Sequence, residues 1–338
     1  MIRVKQSSPS HTKITSSYEK WIEESLSVKD GFWRKGEDLF KEHDIKFVYG
    51  DEKADFGFSL HGNKVRGVPY NKCILFRVEP PIYNVFFGRK LCNQRYLKKF
   101  MAVMTDYIVD DFPVVHFNVP IRAFTFTDTF FDRSRKEFLC MILKNKKRSM
   151  LLNSFMPSLR KYNKNSNLKL RSDTDKKFCD VFGSQYDSYG RGWDYRCFKG
   201  SLDPYTLESI QQPDGSYQLI STPMVFDVLC RYKFNFCPEN SRFNGYVTEK
   251  PCHAIAAGCV PIYSGAPDVL KYLPKGTFID YHSFDSVESL CKYLIEMPDK
   301  EYQQYRKEMK KFAKSDQTNN FSSYTFAQKI ISILEGGQ

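Results

Sequence analysis

Glu239, Asn240, Tyr246, Glu249 and Lys250 stand within one short stretch, ENSRFNGYVTEK, with Gly245 near its middle. Acids, an amide, a phenol and an ammonium gathered this closely are groups that hold a polar, charged ligand. The stretch runs directly into PCHAIAAGCVPIYSG, small and mostly apolar, so the polar cluster sits at the mouth of a buried helix and strand. Thr248 suits the N-cap of that helix and Glu249 its first turn. Pro251 is tolerated there because first-turn N–H groups lack helical partners, and Gly258 suits the position just past the end. The expected helix, Thr248 to Gly258, would offer N–H groups and positive partial charge at its start, a ready site for a phosphate. Lys250 opposes that dipole, which makes sense where an anion occupies the site. A solvated helix start is the plain alternative.

The elements that must position these groups alternate between strand and helix. Residues 1 to about 17 read as a polar lead-in, and Tyr18 to Lys41 as helical, broken near Asp30-Gly31. IKFVYG, ADFGFSL and KCILFRVEPP read as strands, NQRYLKKFMAVM as a helix, and FPVVHFNVPIRAF as part strand, part loop. A second cycle begins with a buried strand, Phe138 to Leu143. A helix over Arg148 to Tyr162, a strand CDVFG, and a long loop over residues 184–221 follow. PMVFDVLCRY, TEKPCHAIAAG, SVESLCKYLIEM, EYQQYRKEMKKFAK and YTFAQKIISILE read as helices, KFNFCPEN and CVPIYSG as strands. Such alternation predicts α/β halves with mainly parallel sheets. Ligands of open α/β sheets bind beyond the carboxyl ends of the strands, where PEN and YVTEK fall.

The 338 residues suit two domains of ordinary size. Hydrophobic residues at 41% and charged residues at 27% are normal for a globular chain and wrong for a disordered one. The net charge of +12 favours anionic partners, yet no nucleic-acid-binding motif accompanies it, so a polyanion-binding role rests on charge alone. The ten cysteines form no C-x-x-C pair, and the six histidines show no metal spacing. Several cysteines stand in apolar runs, where a thiol acts as a small hydrophobe. MIRVKQSSPSHTKITSSYEK has no apolar targeting segment, and no window reaches the ~18 apolar residues of a membrane span. The expectation is a soluble, cytoplasmic chain with reduced thiols; peripheral membrane association through the basic surface is the further possibility.

Tyr232 to Val269, YKFNFCPENSRFNGYVTEKPCHAIAAGCVPIYSGAPDV, resembles the signature of the α1,3/4-fucosyltransferases, glycosyltransferase family ten. That signature is a strand ending in Phe, then Glu-Asn-Ser, Tyr-x-Thr-Glu-Lys, a small-residue helix, Gly-x-Val-Pro and a Gly-x-Pro loop. The resemblance implies a GT-B fold, two Rossmann-like domains facing across a cleft: residues 1–135 binding an acceptor, 136–315 binding GDP-fucose, and 316–338 a closing C-terminal helix that packs back across the interface. It implies an inverting transfer of fucose from GDP-β-L-fucose to a glycan hydroxyl, in α1,3 linkage to a GlcNAc or Glc residue. A related transferase with another nucleotide-sugar donor and a non-catalytic polyanion binder are the rivals. Such a displacement needs a base for the hydroxyl and cations for the leaving diphosphate. Lys250 matches the family's phosphate lysine, and Asn240, Tyr246 and Glu249 its donor contacts; Glu249 is also placed to stabilise positive charge on the sugar. Glu239 matches the first carboxylate of the Glu-Asn motif and is equally read as a buried acid holding the loop. Arg148 falls where the family places a phosphate arginine, with Lys146 and Lys147 crowding the register. Glu79, in ILFRVEPPIYN, matches the family's base; a surface acid paired with Arg77 is the alternative. The resemblance requires no metal and no cofactor beyond the donor, and allows stimulation by divalent ions.

Overall fold

The computed structural model describes residues 1–6, 31–48, 52–60, 62–77, 93–108, 112–121, 123–145, 165–190, 192–193, 197–200, 208–211, 217–220 and 223–336. They divide between two compact units. The first takes in Met1–Pro120 and Phe321–Gln338, the second Ile121–Leu151 and Asn165–Asn320.

The first unit is built on β1 (Ile2–Gln6), β2 (Ile45–Val48), β3 (Phe56–Leu60), β4 (Cys73–Arg77), β5 (Ala102–Thr105) and β6 (Val115–His116). Their order is β2-β1-β3-β4-β5-β6, with every neighbouring pair parallel. Its helices are α1 (Gly31–Glu42), α2 (Gln94–Leu97) and the C-terminal α9 (Ser323–Leu334). Side chains alternate across the sheet. From β4, Ile74 and Phe76 join one core with Val4, Phe40, Phe58, Met104 and, from α9, Ala327, Ile330 and Ile331. Cys73 and Leu75 enter a second cluster with Val65, Leu97, Phe100 and Val103. A sheet covered on both faces needs apolar residues at consecutive positions, and CILF supplies them. Gly36 lets α1 approach α9, since a Cβ there would lie 2.9 Å from the Ser323 carbonyl oxygen.

The second unit carries β7 (Glu137–Ile142), β8 (Tyr186–Tyr189), β9 (Phe198–Gly200), β12 (Tyr232–Phe236), β13 (Val260–Tyr263) and β14 (Ile279–Asp280), with the antiparallel pair β10 (Glu208–Gln211) and β11 (Tyr217–Ile220) apart from the main sheet. The order is β14-β13-β12-β7-β8-β9, again parallel throughout. Its helices are α3 (Thr127–Phe130), α4 (Leu168–Phe182), α5 (Pro223–Leu229), α6 (Glu249–Ala256), α7 (Val287–Glu296) and α8 (Asp299–Ala313). Chain order reverses between β7 and β12, which lie side by side. That is the topological switch point, so the carboxyl ends of these two strands border the crevice in which such sheets bind ligands.

Several sequence expectations are corrected. Ile2–Gln6 is not part of a lead-in but a strand between β2 and β3; five residues are too few to show a pattern, and its partners lie far along the chain. Of NQRYLKKFMAVM only Gln94–Leu97 is helical, because Ala102–Thr105 enters the sheet as β5. CDVFG is no strand. Thr174, Asp175, Phe178, Cys179 and Phe182 are buried at helical spacing and belong to α4, which ends at Gly183 with φ at 54°. Residues 184–221 are not one loop, since they contain β8, β9, β10 and β11. Cys179 and Cys197 are joined in a disulfide with a Cα separation of 5.9 Å, so the reading of thiols throughout fails there; α4 and the turn just before β9 bring together two cysteines whose spacing matches no motif. The expected helix over Arg148 to Tyr162 lies outside the described residues.

Candidate functional site

Beyond the end of β12 the chain stays in register with β13. The Cys237 N–H donates to the Ile262 carbonyl at 3.0 Å and the Glu239 N–H to the Ser264 carbonyl at 2.8 Å. Glu239 is thereby fixed at the carboxyl edge of the sheet, with no solvent exposure. Gly265 makes its burial possible: a Cβ there would lie 2.7 Å from Glu239 Cγ and 2.1 Å from Tyr263 Oη. The loop is tied down on its other side by α4 and the residues just before it. Asn167 N–H donates to the Asn240 carbonyl at 3.0 Å, Arg242 N–H to the Asn165 carbonyl at 2.7 Å, and Arg171 Nη2 to the Pro238 carbonyl at 2.8 Å.

Gly245 turns the chain with φ at 77°, a conformation glycine adopts without steric cost. Its N–H donates to Asp268 Oδ1 at 2.8 Å. Tyr246 follows, buried to 1% exposure, and its hydroxyl accepts from Asn240 Nδ2 at 3.4 Å. Its carbonyl accepts from Tyr263 Oη at 3.2 Å. Thr248 occupies the N-cap position of α6, as expected, but its hydroxyl does not cap the helix. Thr248 Oγ1 lies 2.9 and 2.8 Å from the two Glu239 oxygens, and its N–H donates to Glu239 Oε1 at 2.7 Å. At the far end Gly258, with φ at 72°, stands past the last turn where the sequence places it. A Cβ there would meet the Phe131 carbonyl oxygen at 2.6 Å.

Lys250 is 14% exposed. Its Nζ donates to Glu239 Oε2 at 2.9 Å and to Thr248 Oγ1 at 2.7 Å, and lies 3.5 Å from Glu249 Oε1. The cation at this helix start is therefore met by two carboxylates, and its presence alone does not call for a bound anion. Burial works against the charged ammonium, but Glu239 and Glu249 outweigh it and hold Lys250 above the ordinary lysine range. For Glu249, burial would raise the pKa; Lys250 first and His253 second reverse this and bring it to about 2. Glu249 is thus a carboxylate at neutral pH. His253, on the next turn, is pushed down to about 4, chiefly by burial, and is neutral there; its ring centre lies 5.4 Å from that of Phe226.

Of the residues singled out from sequence, the structure brings Asn240, Tyr246, Glu249 and Lys250 together. Asn240 and Tyr246 form the buried backing, while Lys250 and Glu249 keep exposed surface. Glu239 is a buried acid that holds the loop and also the Lys250 partner. Glu79 and Arg148 lie outside the described residues. Arg171 was not foreseen: it is 2% exposed, braces the loop from α4, and sits close enough to oppose the charge on Lys250. No sequence signal marks it, because its partner Pro238 is 67 positions away. Asp268 had a weak signal in the Gly-x-Pro-Asp order after β13.

The first unit also gathers polar groups at one edge. Apart from Ser323 on α9, its described buried polar residues are Lys5, Ser59, Arg77, Thr105, Asp106 and Asn118, each at or just past the carboxyl end of a strand. Arg77, 3% exposed, stands over the Tyr107 ring at 5.4 Å rather than on the surface. No group of three or more metal-ligating side chains occurs among the described residues, and no described helix is long and apolar enough to cross a membrane.

Residues 209–331 match the model of the family described as Glycosyltransferase family 10 (fucosyltransferase) C-term, over the stretch that carries the sequence signature. The chain is 38% identical over 68 residues to an alpha-(1,3)-fucosyltransferase of Helicobacter pylori, which covers 20% of this chain and 14% of that protein. It is 32% identical over 124 residues to a GDP-fucose protein O-fucosyltransferase 3 of Gallus gallus, covering 36% of this chain and 24% of that protein. The matched stretches thus span less than a quarter of these relatives' own lengths. The whole chain superposes on a crystal structure of an alpha1,3-fucosyltransferase with GDP, with a TM-score of 0.57 at 14% identity, covering 100% of this chain and 91% of that one. A crystal structure of the same kind of enzyme with GDP-fucose gives a TM-score of 0.50. The fold is the α/β GT-B fold of these enzymes, and the family resemblance of the signature stretch holds.

Proposed function

We propose that this protein is a glycosyltransferase that moves fucose from GDP-fucose to a hydroxyl of an acceptor glycan, with inversion at the sugar carbon. The observation that carries this is Lys250, held at the start of α6 beside the switch point of the C-terminal sheet, within the stretch that matches the fucosyltransferase family model. The Lys250 ammonium at the start of α6 is suited to the diphosphate of the donor. In the reaction the acceptor oxygen attacks the anomeric carbon, the bond from that carbon to the phosphate oxygen breaks, and GDP leaves with the electron pair. The hydroxyl proton passes to a base.

Glu249 is a poor candidate for that base, since a carboxylate with a pKa of about 2 holds a proton too weakly. Its fixed negative charge suits a different role, stabilising positive charge on the departing sugar. The base we assign is Glu79, and the second phosphate cation Arg148, both on the family resemblance. The acceptor falls to the first unit on the family resemblance, and the polar residues at the carboxyl ends of its strands, with Arg77 over the Tyr107 ring, mark the edge where parallel sheets bind ligands. An α1,3 linkage to GlcNAc or Glc is our reading for the glycan. A protein hydroxyl as acceptor is the second reading, favoured by the 124-residue likeness to the protein O-fucosyltransferase. On the family resemblance we propose stimulation by divalent ions, and on the net charge of +12 peripheral membrane association. A cytoplasmic setting would require the Cys179–Cys197 bond to persist against a reducing pool.

The test is a GDP-release assay across a panel of nucleotide sugars, glycans and folded protein acceptors. Release with GDP-fucose and a glycan supports the main reading, release with a protein acceptor alone the second, and release only with another donor overturns fucose as the transferred sugar.

A further inference from the structure

Lys250 has three N–H donors on a flexible stem, and two of them are already spent. One goes to Glu239 Oε2 at 2.9 Å, the other to Thr248 Oγ1 at 2.7 Å. Glu239 is in turn held on several sides. Its side chain has no exposure, its backbone is bonded to Ser264, and its Oε1 accepts from the Thr248 N–H at 2.7 Å. One carboxylate thus holds both the N-cap residue of α6 and the ammonium two residues further on. Glu249 differs: its oxygen stands 3.5 Å from Nζ, and its side chain keeps 31% exposure. The Glu249 side of the ammonium is thus the looser and more open one, with a carboxylate 3.5 Å away that a diphosphate would have to share or displace.

We propose that Glu239 is a positioning residue for donor binding: it does not touch the donor but aims the remaining Lys250 N–H at the diphosphate and locks that direction to the start of α6. This rests on the reading of Lys250 as the diphosphate cation. The ordinary expectation for a carboxylate beside a phosphate-binding lysine is competition for its charge. Here the buried geometry makes the carboxylate a fixed anchor, because it cannot leave its Thr248 bonds to follow the ammonium. The immobilised lysine then gives up less side-chain freedom when the ligand binds. The titratable groups around the pair are Glu249, Cys252 and His253 on α6, Arg171 on α4, Cys237 after β12 and Tyr263 on β13.

The test is GDP binding by calorimetry to the full-length chain as wild type, Glu239→Gln, Lys250→Met and the double variant, from pH 7 to 10. Glutamine can keep the Thr248 bonds but offers Lys250 no charge. Glu239→Gln is expected to weaken GDP roughly tenfold at pH 7 and to bring into this range an alkaline loss of affinity that the wild type, its ammonium held above the ordinary lysine range, reaches only beyond pH 10. In the Lys250→Met background it should add nothing, since its effect passes through the lysine. Wild-type affinity and an unmoved alkaline limb in Glu239→Gln, beside a weakened Lys250→Met, would overturn the proposal alone. Full additivity in the double variant would overturn it as well. Unchanged affinity in Lys250→Met would remove the donor reading and the proposal with it. Circular dichroism establishes folding. If Glu239→Gln is unfolded, Glu239→Asp is read instead, which keeps the charge but withdraws it by one methylene; weakened GDP with an unmoved alkaline limb supports the proposal, and wild-type affinity overturns it.

Discussion

The two sheets of this molecule share a plan and differ in how their polar edges are made. Among the described residues both are six-stranded and parallel throughout. In the C-terminal unit most of the charged edge comes from one continuous stretch, Glu239 to Lys250, in which an acid, a threonine and a lysine are bonded to one another at 2.7 to 2.9 Å, with Arg171 added from α4. In the N-terminal unit the edge is assembled from strand ends far apart in the chain, such as Lys5, Ser59, Arg77 and Asn118. A local cluster can hold a preset charge in one geometry, as a phosphate site requires. A row drawn from several strands spreads its polar groups along the sheet edge instead, and Lys5, Ser59 and Thr105 donate to backbone carbonyls nearby. Under the proposed function the C-terminal edge serves the donor and the N-terminal edge the acceptor.

Four outcomes would break or sharpen that division. The largest effect is expected at the base: Glu79→Ala should cut fucose transfer by roughly 10²- to 10⁴-fold, the usual scale for losing a general base, while GDP affinity by calorimetry stays at the wild-type value. A loss of GDP binding would place Glu79 with the donor. Next is Arg77→Met, which should raise the acceptor KM about tenfold or more, on the order of one lost charge-assisted hydrogen bond, and leave GDP affinity unchanged; weaker GDP binding would show that the two edges are not chemically separate. Third, Cys179→Ser should cost about 3 kcal/mol through the loss of loop closure over an 18-residue separation. Scanning calorimetry should move a C-terminal transition and spare an N-terminal one, and a single transition moving as a whole would mean the units unfold as one.

The smallest effect is a pH dependence confined to the C-terminal unit. His253 has a folded pKa of about 4 against 6.5, and Glu249 about 2 against 4.5. In both cases the unfolded chain binds the proton more readily. Stability is therefore fully present above pH 6.5 and is lost as pH falls, first through the His253 window and then through that of Glu249. Urea melts of His253→Phe should show a flatter profile between pH 6.5 and 4; an unchanged slope would remove His253 as the cause.

Much of the C-terminal unit was legible from sequence. KFNFCPEN, TEKPCHAIAAG and CVPIYSG fall on β12, α6 and β13, because each carries its own start, stop and apolar signals. The misreadings lie where burial overrode local pattern. CDVFG looks extended, yet its apolar residues complete the buried face of α4. AVM continues a helical pattern by composition, yet it pairs as β5 between β4 and β6.

By itself the sequence determined the residue types of the Glu239–Lys250 cluster, their order, and the helix that begins at Thr248, because all of these depend on neighbours within a few positions. Only the tertiary structure decided how the Lys250 charge is met. The sequence suggested a bound anion, whereas the fold buries Glu239 against Gly265 and turns it onto Thr248 and Lys250. It also decided that Arg171 braces the loop, that Ile2–Gln6 lies inside a sheet, and that Cys179 meets Cys197. Each of these joins residues separated by long stretches of chain. Such contacts are selected by packing and charge balance over the whole unit, and leave no periodic trace in the residues on either side.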